Sequence, residues 1–125
     1  MIVSTARDAA DLFRPLFADL AGEAVAMAYL DREQKLLEVR LLSQGSSIDE
    51  VTLPLREILS EALRLGADGL IIAHNHPSGD PTPSRTDLDA TRELAATARN
   101  LGIRLVDHLI LGGGEVTSLR GLGLM

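Results

Sequence analysis

The chain has 125 residues, carries 12 Lys and Arg against 18 Asp and Glu for a net charge of -6, and contains no cysteine. This length suits one compact domain, and the absence of cysteine excludes a disulfide scaffold, a thiolate zinc site, a zinc-thiolate deaminase and a cysteine nucleophile. The acidic surplus argues against direct nucleic-acid binding, and no apolar run is long enough to cross a bilayer, so we expect a soluble, cytoplasmic protein.

The first part of the chain predicts a helix followed by a hairpin. Residues 5–20 place apolar side chains near helical spacing, although Pro15 is expected to bend or break that helix. Residues 24–30 alternate alanines with larger apolar residues, which predicts a strand whose alanine face lies close under a helix. Residues 36–42 form the second strand of the predicted hairpin.

The middle of the chain predicts a second helix and a central strand. A short strand is expected near residues 51–53, and Pro54 begins a helix that runs to about Leu65 and ends at Gly66. The residues of this helix that we expect to face inward are Ile58, Leu59, Ala62 and Leu63. Residues 69–73 form a continuous apolar run, which is typical of a strand buried on both faces.

The last third of the chain predicts a long helix and a second hairpin. The helix spans Ser84 to about Leu101 and stops at Gly102. Residues 103–111 form a strand, the triple glycine 112–114 a turn, and residues 115–119 a returning strand. The order of elements predicts an α/β domain in which helices cover both faces of a mixed sheet, a three-layer α/β/α arrangement.

Two histidines follow the predicted central strand. Residues two apart on an extended strand point to the same side, so His74 and His76 can present both imidazoles to one point. Two neutral imidazoles on one face suit Zn²⁺. A pair of polar loop histidines is the alternative, and an isolated His-x-His does not decide between the two.

Asp87 favours the metal site. It begins the core-facing stripe of the predicted helix, where an unpaired carboxylate is costly unless a cation is nearby. The stripe comprises Asp87, Thr91, Leu94, Ala98 and Leu101. Ser84 and Asp87 also have the spacing of a capping box, but capping does not explain the two histidines upstream, whereas a metal explains all four residues. Two His and one Asp leave an open position for water, as in catalytic zinc sites.

A catalytic site of this kind also needs a general base. Spacing alone leaves several carboxylates open, namely Glu23, Glu33, Glu38, Glu50 and Glu57. Glu23 begins the large-residue face of the first strand, yet from the residues alone it is better interpreted as a solvated strand-end glutamate. His108 lies in a later apolar strand, where a hydrogen-bonded structural histidine is expected.

Residues 74–80, with Pro83, Ser84 and Asp87, resemble the JAMM/MPN+ metal motif His-x-His-x7-Ser-x2-Asp in the form typical of the bacterial RadC-like proteins. The resemblance extends over nearly the whole chain, and the combined pattern is far more specific than His-x-His alone. It further includes Glu23 with Leu30-Asp31, Arg56 to Leu59, Thr91 with Leu94, and Asp107 to Ile110.

The resemblance implies one JAB/MPN domain over residues 1–125, with a cytidine-deaminase-like α/β/α fold and a zinc-dependent peptidase or isopeptidase site. His74, His76 and Asp87 would be the ligands of one zinc per chain. Glu23 would be the general acid/base, acting through a zinc-bound water that attacks an amide carbonyl, and Ser84 would help to stabilise the oxyanion. The substrate would be a peptide or a protein.

Other functions compatible with the resemblance are a non-catalytic MPN-type binding module and an accessory role in DNA repair. Intact Glu23 and Ser84 argue against the module, and the charge of -6 argues against DNA contact. Full-length RadC-like proteins usually carry an N-terminal helix-hairpin-helix domain, so we interpret this chain as a trimmed or a short form. An exposed edge at residues 36–42 would permit a homodimer.

Overall fold

The computed structural model describes residues 1–20, 22–44 and 53–125, which form three helices and five strands. In chain order the elements are α1 (Ala6–Phe17), β1 (Ala24–Leu30), β2 (Leu36–Gln44), α2 (Leu55–Leu65), β3 (Gly69–Asn75), α3 (Arg85–Asn100), β4 (Arg104–Gly112) and β5 (Glu115–Ser118). Among these residues, no helix combines the length and the apolar character that a membrane crossing requires.

The strands form one mixed sheet in the order β2-β1-β3-β4-β5. β3 and β4 run parallel, and the other neighbouring strands run antiparallel. β3 lies in the centre with helices on both faces, so each of its residues is buried. The expected α/β class with a mixed sheet between helices is confirmed.

Strand alternation separates the core into two layers. The alanines of β1 pack toward a helix, as predicted, and that helix is α1. The larger apolar residues of β1 pack toward α2 and α3. The α1 layer includes Phe13, Phe17, Ala24, Ala26, Ala28, Ile71 and Ala73. The opposite layer includes Val25, Met27, Tyr29, Ile58, Leu70, Ile72, Leu94 and Ala98.

The predicted hairpin joins β1 to β2 through a turn at residues 31–35. One carboxylate oxygen of Asp31 accepts the N–H groups of Glu33 and Lys35 at 2.8 and 2.9 Å, which holds the turn. β2 extends to Gln44, two residues beyond the expected end. Of the short strand expected near residues 51–53, residues 51 and 52 lie outside the described residues, and the described Leu53 belongs to no strand.

Three details of the helices differ from the sequence expectation. α1 runs through Pro15 and ends at Phe17; because Pro15 is exposed and lies in the last turn, water can satisfy the carbonyl that loses its partner. Leu63 is 58% exposed, since the buried stripe of α2 is narrow and ends at Ala62. Leu101 is 46% exposed, because α3 ends at Asn100 and the helical stripe does not continue past it.

The glycine turn between β4 and β5 packs against the loop that follows β3. Gly113 and Gly114 both have left-handed backbone, with φ of 57° and 82°. A Cβ on Gly113 would lie 2.8 Å from the carbonyl oxygen of Gly79, whereas one on Gly114 would meet nothing within 4 Å. The backbone N–H of His76 also donates to the Leu111 carbonyl at 2.8 Å, so β4 and its turn support the loop that begins at His76.

This contrast predicts a difference between two matched variants. Gly113→Ala and Gly114→Ala both impose the strain of left-handed backbone, about 1–2 kcal/mol. Gly113→Ala alone also forces a methyl group against the Gly79 backbone, so it should lose about 1–3 kcal/mol more free energy of unfolding. Urea unfolding of both variants tests this, and equal losses would contradict the close packing of turn and loop.

Candidate metal centre

Four polar side chains converge where the C-terminal end of β3 meets the N-terminal end of α3. Nδ1 of His74 lies 3.2 Å from Oδ1 of Asp87, and Nε2 of His74 lies 3.4 Å from Oε2 of Glu23. Nε2 of His76 lies 3.3 Å from Oδ2 of Asp87. The two imidazole rings meet edge to face, with their centroids 4.7 Å apart. The structure therefore brings together both histidines, Asp87 and Glu23.

Strand pairing places Glu23 beside His74. In the antiparallel β1–β3 pair, Val25 lies opposite His74. Glu23 precedes Val25 by two residues and therefore points to the same face of the sheet, the face covered by α2 and α3. Its side chain is 15% exposed, so it is not the solvated strand-end residue that the sequence alone favours.

Asp87 enters the site from the first turn of α3 and also caps that helix. Its backbone N–H donates to the Ser84 hydroxyl at 3.0 Å, and its Oδ2 accepts the Ser84 backbone N–H at 2.7 Å. This reciprocal pair is the predicted capping box. Capping and the histidine contacts thus use the same carboxylate, and neither explanation of Asp87 excludes the other.

The carboxylate of Asp87 is ionised although it is only 3% exposed. Burial opposes ionisation, but the adjacent His74 ring and the hydrogen bond from the Ser84 backbone outweigh burial and hold the pKa of Asp87 well below its usual range. A buried anion beside one histidine of β3 and a second histidine in the following loop is well suited to a cation.

Hydrogen bonding at His76 leaves one nitrogen for a cation. Its Nδ1 lies 2.9 Å from the Asp80 carbonyl oxygen, which can only accept, so Nδ1 carries the proton. In the neutral ring Nε2 then carries no proton, and its lone pair faces the Asp87 carboxylate. Two lone pairs facing each other are unfavourable unless a proton or a metal ion lies between them.

His74 provides a second sign of the same kind. It is 2% exposed, and neither of its ring nitrogens has a hydrogen-bond partner among the described residues. The nearby carboxylate oxygens approach these nitrogens without the geometry of a hydrogen bond. Unpaired buried nitrogens are costly, and coordination of a cation would remove that cost.

The donor set fits a divalent transition-metal ion. One ligand atom from each of Glu23, His74 and His76 lies within 4.8 Å of the others. Asp87 is outside this group but contacts both histidines, His74 through Oδ1 and His76 through Oδ2. Imidazole nitrogens and carboxylate oxygens are the ligands of Zn²⁺ sites that contain no cysteine. The hydrogen bond from His76 to Asp80 is the kind of outer contact that fixes the orientation of a metal-binding histidine.

Two hydrogen bonds connect His108 to the backbone of Asp87 through the hydroxyl of Thr91. The Thr91 hydroxyl donates to the Asp87 carbonyl at 2.6 Å, and its oxygen lies 2.5 Å from Nδ1 of His108. A hydroxyl has one proton, so both contacts are satisfied when His108 Nδ1 donates to Thr91. His108 is thus hydrogen bonded through Nδ1, as expected, whereas its buried Nε2 has no hydrogen-bond partner among the described residues. Thr91 contacts the backbone of Asp87 and also packs in the core.

Asp107, which precedes His108 in the motif, has a separate structural role. Its Oδ1 accepts the backbone N–H groups of His108 and Arg120 at 2.7 and 3.1 Å, and its Oδ2 accepts the Ser118 hydroxyl at 2.5 Å. These bonds attach the end of β5 and the residue that follows Leu119 to β4. They account for the Asp107 carboxylate without the metal centre.

One residue that contacts the site's backbone was not identified from the sequence. The side chain of Asn75 hydrogen bonds to Ala24 and to Gly22, the two neighbours of Glu23. Strand alternation alone places Asn75 on the face opposite His74, which gave no reason to assign it a role. Only the pairing of β1 with β3 reveals the contact.

The fold and the site define an α/β/α domain with a candidate metal centre at the end of its central strand. A family model described as RadC-like JAB domain matches residues 3–124. The chain belongs to this family, and the resemblance noted in the metal motif is confirmed at that level.

Curated relatives agree with the family assignment. The chain is 39% identical to a UPF0758 protein of Symbiobacterium thermophilum over 115 residues, which cover 92% of this chain and 49% of the relative. It is 44% identical to a UPF0758 protein of Acaryochloris marina over 110 residues, 82% of this chain and 45% of the relative. The chain thus spans about half the length of the curated relatives it matches.

The buried His108 predicts a pH dependence of stability in the metal-free protein. Burial lowers the pKa of His108 from 6.5 to about 4. The unfolded chain therefore binds this proton more readily, and stability present above pH 6.5 is lost as the pH falls toward 4. The loss attributable to His108 should reach about 2–3 kcal/mol.

Urea unfolding of the metal-free protein between pH 7 and pH 4 measures this loss. In His108→Gln the amide group can still donate to Thr91 but does not titrate, so the variant should lose less stability over this range than the unmodified protein. The other histidines are common to both proteins and cancel in the comparison. Identical pH dependence in the two proteins would contradict a buried, neutral His108.

Proposed function

We propose that this chain is a zinc-dependent amide hydrolase, a metallopeptidase or isopeptidase of the JAMM type that acts on a peptide or protein. The observation that carries the proposal is a cluster of four side chains, Glu23, His74, His76 and Asp87. In this cluster the buried ring nitrogens of His74 have no hydrogen-bond partner among the described residues. Membership of the RadC-like JAB domain family supports it.

We assign His74, His76 and Asp87 as the metal ligands and Glu23 as the acid/base. Asp87 contacts both histidines and its side chain is 2% exposed, which suits a ligand enclosed by the protein. Glu23 contacts His74 alone and is 15% exposed, so it lies closer to solvent and to an incoming substrate. A Zn²⁺ ion held by these residues would polarise the amide carbonyl and would lower the pKa of water toward neutrality.

Glu23 transfers the proton in this scheme. Its carboxylate accepts a proton from the attacking water as the new C–O bond forms at the amide carbon. The same group then delivers that proton to the amide nitrogen as the C–N bond breaks, so that the amine leaves in neutral form. A position at the end of β1, on the face shared with His74, suits this role.

Ser84 stabilises the oxyanion. Its Oγ accepts the Asp87 backbone N–H, so its own proton remains free to donate. Ser84 is exposed at the N-terminus of α3, where the substrate carbonyl can approach it. The positive end of the helix dipole adds to the stabilisation of negative charge at this position.

The proposed ligands predict stoichiometric zinc. The purified protein should contain about one zinc per chain by elemental analysis, and His76→Ala and Asp87→Asn should remove it, since each deletes one donor. His108→Gln is the matched control, because that histidine lies outside the donor set and the glutamine amide can still donate to Thr91, so the zinc content should stay unchanged. The proposal would be contradicted if the unmodified protein contained no zinc, or if His76→Ala retained its full zinc content.

The proposed acid/base predicts a loss of turnover without a loss of metal. Glu23→Gln should retain zinc but hydrolyse peptides about 10²–10⁴-fold more slowly, because its amide cannot accept the proton. Glu33→Gln, in the exposed hairpin turn, is the control and should keep full activity. Cleavage of a peptide library is read by mass spectrometry. Equal rates for the unmodified protein and Glu23→Gln refute the assignment, and no cleavage by either protein favours a binding module.

A further inference from the structure

Asn75 is the last residue of β3, between the two histidines of the site. Because successive strand residues alternate, its side chain lies on the face opposite His74, toward α1. It is 9% exposed. The mechanism above gives this buried amide no role, and it lies on the far side of the sheet from Asp87 and the His74 ring.

The Asn75 amide makes two hydrogen bonds to β1 and the residues just before it. Oδ1 accepts the Ala24 backbone N–H at 2.5 Å, and Nδ2 donates to the Gly22 carbonyl at 3.2 Å. The orientation of the amide is fixed by its partners, since a backbone N–H can only donate and a carbonyl can only accept. The two bonded residues are the immediate neighbours of Glu23, so the Asn75 amide brackets it.

The two hydrogen bonds of the Asn75 amide, which we call the bracket, continue the connection between β1 and β3 beyond the last backbone pair. The β1–β3 register begins with Val25 opposite His74, and Ala24 would be the next residue to pair. At that position the primary amide of Asn75 supplies one acceptor and one donor, as a peptide group would. The backbone on both sides of Glu23 is thereby held against β3 by a side chain.

We propose that Asn75 is a positioning residue for Glu23. By fixing the backbone at Gly22 and Ala24, it holds the Glu23 carboxylate over His74, where Oε2 lies 3.4 Å from Nε2. The inference rests on the proposed function for its catalytic meaning. Because Asn75 acts from behind the sheet, its loss should move Glu23 and leave the metal ligands in place.

A double-mutant cycle separates this role from a general loss of structure. Asn75→Ala should lower kcat on library peptides about 10–100-fold, because displacement of an aligned group by about 1 Å has an effect of that size. In the Glu23→Gln background the same substitution should cost nothing further, since the group that it positions is already inactive. Zinc content should stay at one per chain in all four proteins. Additive losses, or loss of zinc in Asn75→Ala, would overturn the proposal.

Two further variants provide the controls. Asn75→Asp keeps an acceptor for the Ala24 N–H but presents a second oxygen to the Gly22 carbonyl, so it should lose activity as Asn75→Ala does. It therefore tests the two hydrogen bonds even if Asn75→Ala does not fold. Asn100→Ala makes the same change at the exposed end of α3 and should keep full activity. Full activity in Asn75→Asp would overturn the proposal.

A measurement without substrate keeps this inference distinct from the proposed function. In the unmodified protein, NMR should show a nuclear Overhauser contact between the Glu23 side chain and the His74 ring. The contact should weaken strongly in Asn75→Asp and persist in Asn100→Ala. If no peptide is cleaved by the unmodified protein, the proposed function fails, and this contact alone decides whether Asn75 positions Glu23. A contact of unchanged intensity in Asn75→Asp would overturn the proposal.

Discussion

The ionised carboxylate of Asp87, 3% exposed at the start of α3, is the constraint on which the site depends. An isolated buried carboxylate is unfavourable by several kcal/mol, so its surroundings must supply positive charge and hydrogen bonds. The Ser84 backbone N–H and the N-terminus of α3 supply part of this stabilisation, and the rings of His74 and His76 lie 3.2 and 3.3 Å from the carboxylate oxygens, where a cation would complete it. Each of these groups is in turn held by its own contacts, which connects the site to β3, to the loop after it and to α3.

The register of the sheet brings Glu23, the proposed acid/base, close to this carboxylate. β1 and β3 run antiparallel, so the first residues of β1 lie beside the last residues of β3. Glu23 and His74 therefore meet, although they are far apart in the chain. The neighbouring β4 runs parallel to β3 and ends at the same edge, where its glycine turn supports the loop that carries His76. Pairing of three strands thus determines which side chains surround Asp87.

Local signals in the sequence predicted most of the elements and three of the four side chains of the site. The alternation over residues 24–30, the αL glycine at Gly66 and the Ser84 cap gave elements that the structure confirms. The sequence predicted one metal site for His74, His76 and Asp87, because strand alternation and the helical stripe depend only on residues that are close in the chain. The break expected at Pro15 does not occur, because Pro15 is exposed in the last turn of α1, and periodicity does not report exposure.

The contacts that local rules missed all join distant residues. Glu23 could not be selected among the carboxylates by spacing, because its position follows from the β1–β3 register. The bond between Thr91 and His108 joins α3 to β4, and the Asn75 amide reaches Ala24 across 51 positions of the chain. The family resemblance selected Glu23 by matching it to a family position, without reference to the strand register.

The groups that orient the site lie outside it. Asn75 contacts the backbone of Gly22 and Ala24 from the α1 face, and His108 reaches Asp87 through Thr91 from β4. The Asp80 carbonyl fixes His76 from its own loop. None of these contacts occupies the open side of the site, where Glu23 and His76 retain some exposure. A site built in this way can be rigid and still leave room for the substrate of the proposed reaction, because the residues that hold it lie on its other sides.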